Sequence, residues 1–268
     1  MTGSPRLEAS SLSDYRLVRV IEDTEQTTSA IAHSPEGQAV FVKARDDLPP
    51  IAREAAILEE VSHPQIPSLI RADLGESSEH PFIVTEMMPG NRYVIRWIRD
   101  YPVPWLAARL CVSALKPLGH LHERGFTHRD VKTSNLVIKF SGEAALVDFE
   151  LGLHKGEKDF QPDGRVQGTA DYMAPERAYG YRGDGKTDIY AMGIVMYELL
   201  FGKLPFLGEP REVANSHVAG EIDLSDPYDR HIPEALKVVI NKATQKQPSD
   251  RYESAEAMSD AIESACSK

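Results

Sequence analysis

Cysteine is scarce in this sequence: the 268 residues include only Cys111 and Cys266, which lie far apart along the chain. A disulfide framework or a cysteine-based zinc site needs several cysteines at short, characteristic spacings. Both are therefore excluded as the basis of the fold. Two reduced thiols are typical of a cytoplasmic protein, and we expect that location.

Long apolar runs and an excess of basic residues are also missing. The most apolar run, residues 189–201, is shorter than a membrane span and contains Glu198, so we expect a buried core helix there and no membrane span. The first residues are polar and predict no signal peptide. Acidic residues outnumber Lys and Arg by 41 to 30, and the net charge of −11 disfavours nucleic acid or a membrane surface as the partner.

The order of predicted elements divides the chain into two parts. Alternating apolar residues predict a strand-rich first part with one helix: the strands are residues 15–21, 39–44, 69–74 and 81–87, and the helix is residues 51–61. Residues 86–91 are predicted as a hinge, followed by a helix at 103–125, a short hairpin and a mainly helical remainder. This pattern predicts an α+β fold of two lobes, and clefts between lobes are common ligand sites.

The predicted boundaries follow from these changes in pattern. They are a flexible tail at 1–13, a small β-rich lobe at about 14–87, a larger and mostly helical lobe at about 88–262, and a C-terminal tail at 263–268.

Several short polar stretches carry residue types that suit phosphoryl transfer from a nucleotide. That chemistry needs a cation for the phosphates, acidic or amide ligands for the metal, and a carboxylate for the acceptor hydroxyl. The stretches "HRDVKTSN" (128–135) and "VDFE" (147–150), preceded by "VFVK" (40–43) and a helix that carries Glu54, supply each of these.

With these motifs in this order, residues 14–262 resemble a eukaryotic-type (Hanks-type) serine/threonine protein kinase of the bacterial kind. The resemblance implies the bilobal protein-kinase fold. It also implies that Lys43 pairs with the phosphates of ATP and is held by Glu54, and that Asp148 binds Mg²⁺ or Mn²⁺.

The resemblance assigns further roles in the catalytic loop and the hinge. Asp130 would be the catalytic base, Lys132 would steady the transferred phosphate, and Asn135 would be a second metal ligand. The backbone of Glu86 and Met88 would contact the adenine of ATP.

Other motifs of the resemblance have structural roles. "GTADYMAPE" (168–176) is similar to the substrate-binding segment, with Glu176 expected to pair with Arg251. Asp188 would hold the catalytic loop by accepting backbone N–H groups.

The sequence departs from the family pattern at three places. The nucleotide loop, residues 21–32, has no glycine and carries three acidic residues, which predicts weaker nucleotide binding or a different loop geometry. Phe41 stands where a small residue usually roofs the adenine and would turn aside or narrow the pocket. Glu150 replaces a glycine, so we expect backbone strain there if φ is positive, and a side chain that faces solvent.

The segment between residues 149 and 168 contains no hydroxyl residue, so we predict that it is not switched by phosphorylation. Arg129, which would meet such a phosphate, would instead face a carboxylate from Glu157, Asp159 or Asp163.

The motifs favour an active kinase that uses ATP and acts on a protein substrate, with a regulatory partner that the sequence does not identify. A pseudokinase that serves as a nucleotide-sensing or scaffolding module is the alternative, favoured by the glycine-free loop and Phe41. A kinase for small molecules is disfavoured by the segment at 168–176.

Overall fold

A computed structural model describes residues 5–7, 12–75, 80–91, 93–157, 168–225 and 231–267. The chain divides into two units, residues 1–89 with 148–150, and residues 90–147 with 151–268. The prediction placed residues 148–150 in the larger lobe, but they pack with the first unit.

The first unit contains a five-stranded antiparallel sheet in the order β1-β2-β3-β5-β4. Its strands are β1 (Arg16–Asp23), β2 (Thr27–His33), β3 (Ala39–Arg45), β4 (Leu69–Asp73) and β5 (Phe82–Glu86). Strand β2 was not predicted, because its sequence TTSAIAH mixes small polar and apolar residues without a clear alternation. It is nevertheless buried along most of its length, since it pairs with β1 on one side and β3 on the other.

One helix, α1 (Leu48–Glu60), packs with this sheet. It begins three residues before the predicted start because prolines occupy its first turn, where the missing N–H groups cost nothing. Its buried residues are Ile51, Glu54, Ala55, Ile57 and Leu58, so that a single carboxylate lies among apolar side chains.

The described part of the N-terminal tail belongs to the core of the first unit. Leu7 and Leu12 are buried in one cluster with alanine and valine side chains of β2 and β3, and Arg6 forms a salt bridge with Asp46. The prediction of a flexible tail over residues 1–13 is therefore wrong for the described residues 5–7 and 12.

The second unit is mainly helical, as predicted. Its helices are α2 (Tyr93–Asp100), α3 (Pro104–Glu123), α4 (Pro175–Ala178), α5 (Gly185–Phe201), α6 (Pro210–Ala219), α7 (Glu234–Ala243) and α8 (Ala255–Cys266). Its short strands are β6 (Gly90–Asn91), β7 (Phe126–Thr127), β8 (Leu136–Lys139), β9 (Ala144–Leu146) and β10 (Leu153–His154), paired as β6-β8-β9 and β10-β7. Helix α2 was not predicted, and α8 continues through most of the predicted C-terminal tail.

Helix α5 forms the centre of the second unit, where it packs against α3 and α7. Its residues from Thr187 to Phe201 are all buried, which agrees with a sequence that is apolar on every side. The side chain of Asp184 caps its N-terminus by accepting the N–H of Lys186 at 2.8 Å, and Gly202 ends it with a φ of 71°. Within the described residues, no helix combines the length and the apolar character that a membrane span requires.

Candidate active site

The ammonium group of Lys43 lies among three carboxylates of the first unit. Its Nζ donates hydrogen bonds to Glu54 Oε2 at 2.9 Å and to Asp148 Oδ1 at 2.8 Å, and Glu150 Oε1 lies 2.9 Å away. Burial alone would lower the pKa of Lys43, but the negative charges of Glu54, Asp148 and Glu150 outweigh burial and raise it. Lys43 is therefore a fixed positive charge on the buried part of β3.

Glu54 connects Lys43 to the segment 148–150. One of its carboxylate oxygens accepts from Lys43, and the other accepts the backbone N–H of Phe149 at 3.3 Å. The ring of Phe149 is fully buried, and the bond from its N–H to Glu54 connects this segment to α1. The predicted pairing of Lys43 with Glu54 and the proximity of both to Asp148 are present in the structure.

The segment 148–150 differs from the prediction in its backbone. Positive φ occurs at Asp148, with a value of 70°, and not at Glu150. The expected strain at Glu150 is therefore absent, while Asp148 adopts a conformation that aspartate tolerates better than most residues.

The side chain of Glu150 is not solvent-facing, and that prediction is wrong. It is only 17% exposed, and its Oε2 accepts a hydrogen bond from Arg45 Nη1 at 2.7 Å. The backbone oxygen of Glu150 accepts a further bond from Arg53 Nη1 at 3.0 Å. Sequence reasoning missed Arg45, although its position two residues after Lys43 on β3 places both side chains on the same face of the strand.

The glycine-free run 21–32 forms the end of β1, a tight turn and β2. The turn is closed by Thr24, whose N–H bonds to Thr27 O at 2.9 Å and whose Oγ1 accepts the N–H of Thr27 at 3.0 Å. Arg6 donates to the carbonyls of Thr24 and Glu25, and Thr28 Oγ1 donates to Asp23 Oδ1 at 2.7 Å. Side-chain bonds thus fix a turn that in the family pattern relies on glycine.

The residues predicted to contact adenine lie on β3 and at the end of β5. Phe41 is half-buried and is paired in register with Ile31 on β2 and Thr85 on β5. Glu86 is exposed and uses its N–H to bond Ser68 O at 2.8 Å, and Met88 follows two residues later, half-buried. Their contacts with a nucleotide remain predictions.

In the second unit, Asp130 is surrounded by hydrogen-bond donors. Its Oδ2 lies 2.6 Å from Lys132 Nζ and accepts from Asn135 Nδ2 at 3.1 Å. Its Oδ1 accepts from Thr169 through the hydroxyl at 3.0 Å and through the backbone N–H at 3.3 Å. The three predicted catalytic-loop residues are thus together, and Thr169, which the sequence placed only in the substrate-binding segment, joins them.

Asp188 fixes the backbone of this loop, as the resemblance implied. Its two oxygens accept the N–H groups of His128 and Arg129, both at 2.8 Å, and His122 Nε2 lies 2.8 Å from Oδ2. Burial alone would raise the pKa of Asp188, but the hydrogen bond and charge of His122 and the loop contacts lower it overall. Arg129 has a φ of 69°, so these bonds also hold a strained residue in place.

The predicted pair of Glu176 and Arg251 is also present, with two bonds of 2.7 Å between the guanidinium and carboxylate groups. Of the acidic residues predicted to face Arg129, Glu157 is exposed and accepts the backbone N–H of His154 at 3.1 Å. Asp159 and Asp163 lie outside the described residues.

The donor atoms suit a small divalent cation. Asn135 uses its amide nitrogen on the carbonyl oxygen of Asp130 at 2.9 Å and on its carboxylate, which leaves the amide oxygen for a cation. Asp148 offers carboxylate oxygens, and both ligand types suit Mg²⁺ or Mn²⁺. Oxygens of Glu54, Asp148 and Glu150 lie within 4.8 Å of one another, but Lys43 already fills that cluster.

Comparison with known proteins identifies the family of the chain. The family model described as "Protein kinase domain" matches residues 18–262. Serine/threonine-protein kinase PrkC of Bacillus subtilis is 33% identical over 215 residues, which cover 80% of this chain and 33% of that protein. Probable serine/threonine-protein kinase PknB of Lactococcus lactis is 30% identical over 210 residues, covering 77% of this chain and 33% of the relative.

A third relative is serine/threonine-protein kinase PknL of Mycobacterium tuberculosis, which is 32% identical over 191 residues, or 69% of this chain and 47% of the relative. The chain therefore spans about a third to a half of the length of these relatives.

Proposed function

The chain belongs to the protein kinase family, as a bacterial-type (Hanks-type) serine/threonine member, and on this premise we propose that it transfers the γ-phosphate of ATP to serine or threonine hydroxyls of a protein substrate. The observation that carries the proposal is the environment of Asp130, where an ammonium group, an amide and a threonine surround one carboxylate. A carboxylate held in this way is suited to orient an acceptor hydroxyl and to receive its proton.

In the proposed reaction, the acceptor hydroxyl gives its proton to the carboxylate of Asp130 while its oxygen bonds to the γ-phosphorus. The bond from the γ-phosphorus to the bridging oxygen breaks, and ADP leaves with that electron pair. The ammonium of Lys132, 2.6 Å from Asp130, would balance charge on the transferred group.

On the nucleotide side, Lys43 would contact the phosphates and Glu54 would hold it in position, as their buried 2.9 Å contact supports. Asn135 and Asp148 would hold Mg²⁺ or Mn²⁺, and the bound cation would neutralise charge that develops on the phosphate oxygens. Glu86 and Met88 would receive the adenine through their backbone groups.

The test compares the chain with an Asp130→Asn variant in the presence of radiolabelled ATP, Mg²⁺ or Mn²⁺ and a generic basic protein. Loss of the base should reduce phosphate transfer by roughly 100- to 10,000-fold, the usual contribution of a general base. Nucleotide binding should survive, because the substitution preserves shape and lies outside the phosphate contacts.

Asp260→Asn is the matched control, since it makes the same chemical change on an exposed residue of α8. Equal transfer by the chain and by Asp130→Asn would refute the assignment of the base. If no transfer occurs at all but ATP raises the melting temperature, the chain is a nucleotide-binding pseudokinase. ATP at a hundred times its Kd should stabilise the fold by about 2.7 kcal/mol.

A further inference from the structure

We propose that Glu150 competes with the phosphates of the nucleotide for Lys43. When a phosphate displaces Glu150 from Lys43, the existing bond from Arg45 keeps the carboxylate of Glu150 paired. This inference rests on the proposed function, because it concerns the affinity of the same nucleotide site. It assigns a role to two residues that the family pattern leaves without one.

The first step is the crowding of Lys43. An ammonium group has three N–H donors, and three carboxylates lie within 2.9 Å of Lys43 Nζ. Two of the donors bond to Glu54 and Asp148, so a phosphate oxygen has only the third donor, where it competes with the nearby charge of Glu150.

The second step identifies the carboxylate that gives way. Glu54 is buried and is also held by the N–H of Phe149, and Asp148 makes an aligned hydrogen bond with Lys43. Glu150 Oε1, by contrast, is a charge contact with Lys43 at 2.9 Å without the alignment of a hydrogen bond. An ion pair without hydrogen-bond alignment stabilises less than an ion pair that is also a hydrogen bond. Glu150 is therefore the weakest of the three partners of Lys43.

The third step is the second partner of Glu150. Its other oxygen is 2.7 Å from Arg45 Nη1, and its backbone oxygen is held by Arg53 at 3.0 Å. Glu150 can therefore leave Lys43 without losing every cationic partner and without moving its backbone. Without Arg45, its full negative charge would act on Lys43 and on an incoming phosphate.

The consequence is a nucleotide affinity that is set by opposed charges. With Glu150 in place, each approaching phosphate meets a like charge a few ångström away, and such repulsion is large in a partly buried site. Removing that charge should tighten nucleotide binding, and removing Arg45 should weaken it. The two substitutions should therefore change the Kd of the nucleotide in opposite directions.

The experiment measures the Kd of ATP with Mg²⁺ by calorimetry in an Asp130→Asn background, where turnover does not interfere. Glu150→Gln should tighten binding by about tenfold, a conservative fraction of the repulsion between like charges at this distance. Arg45→Gln should weaken binding by about tenfold on the same reasoning. In the double variant, the effect of Arg45→Gln should largely disappear, because the charge that Arg45 balances is gone.

The matched controls are Glu59→Gln on the exposed face of α1 and Arg19→Gln on exposed β1, which change the same charges away from Lys43 and should leave Kd unchanged. Circular dichroism and melting temperature confirm that each variant is folded. Binding by Glu150→Gln where the unsubstituted Glu150 chain shows none would also support the proposal.

Weaker binding by Glu150→Gln would overturn the inference and make Glu150 a residue that positions Asp148. Unchanged Kd values across all variants would overturn it too, while the proposed function stands. An equal loss of affinity from Arg45→Gln with and without Glu150→Gln would show that Arg45 contacts phosphate directly. It would refute the proposed role of Arg45 in pairing with Glu150. If no variant binds ATP, the proposed function itself fails, and this inference with it.

Discussion

Replacing Glu176 by alanine should strongly destabilise the second unit, because it leaves the charge of Arg251 buried without its partner. The side chain of Arg251 is 0% exposed and that of Glu176 is 12% exposed, and two bonds of 2.7 Å join them. The remaining contacts of the Arg251 guanidinium are backbone carbonyls, such as those of Lys186 and Gln245, and the face of the Tyr190 ring, and none of them carries a full negative charge. Breaking a buried pair of this kind costs about 3–5 kcal/mol.

For a unit of this size, that loss corresponds to a decrease of about 6 to 20 °C in the melting temperature. Thermal unfolding followed by circular dichroism measures it, with urea unfolding as a second readout. Glu253→Ala is the matched control, since Glu253 is 80% exposed and pairs with Lys186 on the surface, where an ion pair contributes about 1 kcal/mol at most. A loss for Glu176→Ala no larger than that of Glu253→Ala would refute the reasoning.

The pair of Glu176 and Arg251 also makes the stability of the chain depend on pH. Burial alone would raise the pKa of Glu176, but the hydrogen bond and charge of Arg251 lower it below its usual 4.5. A carboxyl whose folded pKa is lowered contributes stability that is present above the unfolded pKa and is lost as pH falls through the folded pKa. The difference in stability between the chain and Glu176→Ala should therefore shrink below about pH 4.5.

Three further predictions concern buried groups of the second unit. Burial lowers the pKa of His217 to about 4, so below about pH 6.5 the unfolded chain binds a proton that the folded chain does not, and the melting temperature should fall. His217→Phe should make the melting temperature depend less on pH in this range. Titration with a thiol reagent should modify one thiol per native chain, at exposed Cys266, and two thiols after unfolding. The reason is that Cys111 is buried and that burial raises its pKa to about 12. Two reactive thiols in the native chain would contradict this. Gly193→Ala should lower the free energy of unfolding by about 1–3 kcal/mol, because its new Cβ would lie 2.7 Å from a threonine methyl at the end of α7. Gly119→Ala is the control: the nearest neighbour of its new Cβ would be 3.6 Å away, so it should be neutral or stabilising. Urea unfolding measures both.

The sequence predicted part of the site through its resemblance to the kinase family and part of the fold through local patterns. The pair of Lys43 with Glu54 and the pair of Glu176 with Arg251, whose members lie 75 residues apart, followed from the resemblance. The mainly helical second unit followed from apolar periodicity, and helix α5 from a run that is apolar on every side.

The parts that the sequence did not predict depend on contacts between distant residues. The burial of Glu150 requires Arg45, which is 105 residues away in the chain, and no local pattern links the two. Arg6 fixes the turn of the glycine-free loop from a polar tail that by itself predicts no structure. Strand β2 is specified by its two neighbours, since tertiary pairing outweighs its weak intrinsic pattern.

The left-handed backbone of Asp148 affects how inactive forms of this chain should be made. Alanine at position 148 would remove the carboxylate and would also add a conformational cost of about 1–2 kcal/mol, because a methyl side chain disfavours that region. Asparagine, like aspartate, occupies this region readily. A defect in an alanine variant would thus combine the loss of the proposed metal ligand with a displaced backbone, while the asparagine variant isolates the missing charge.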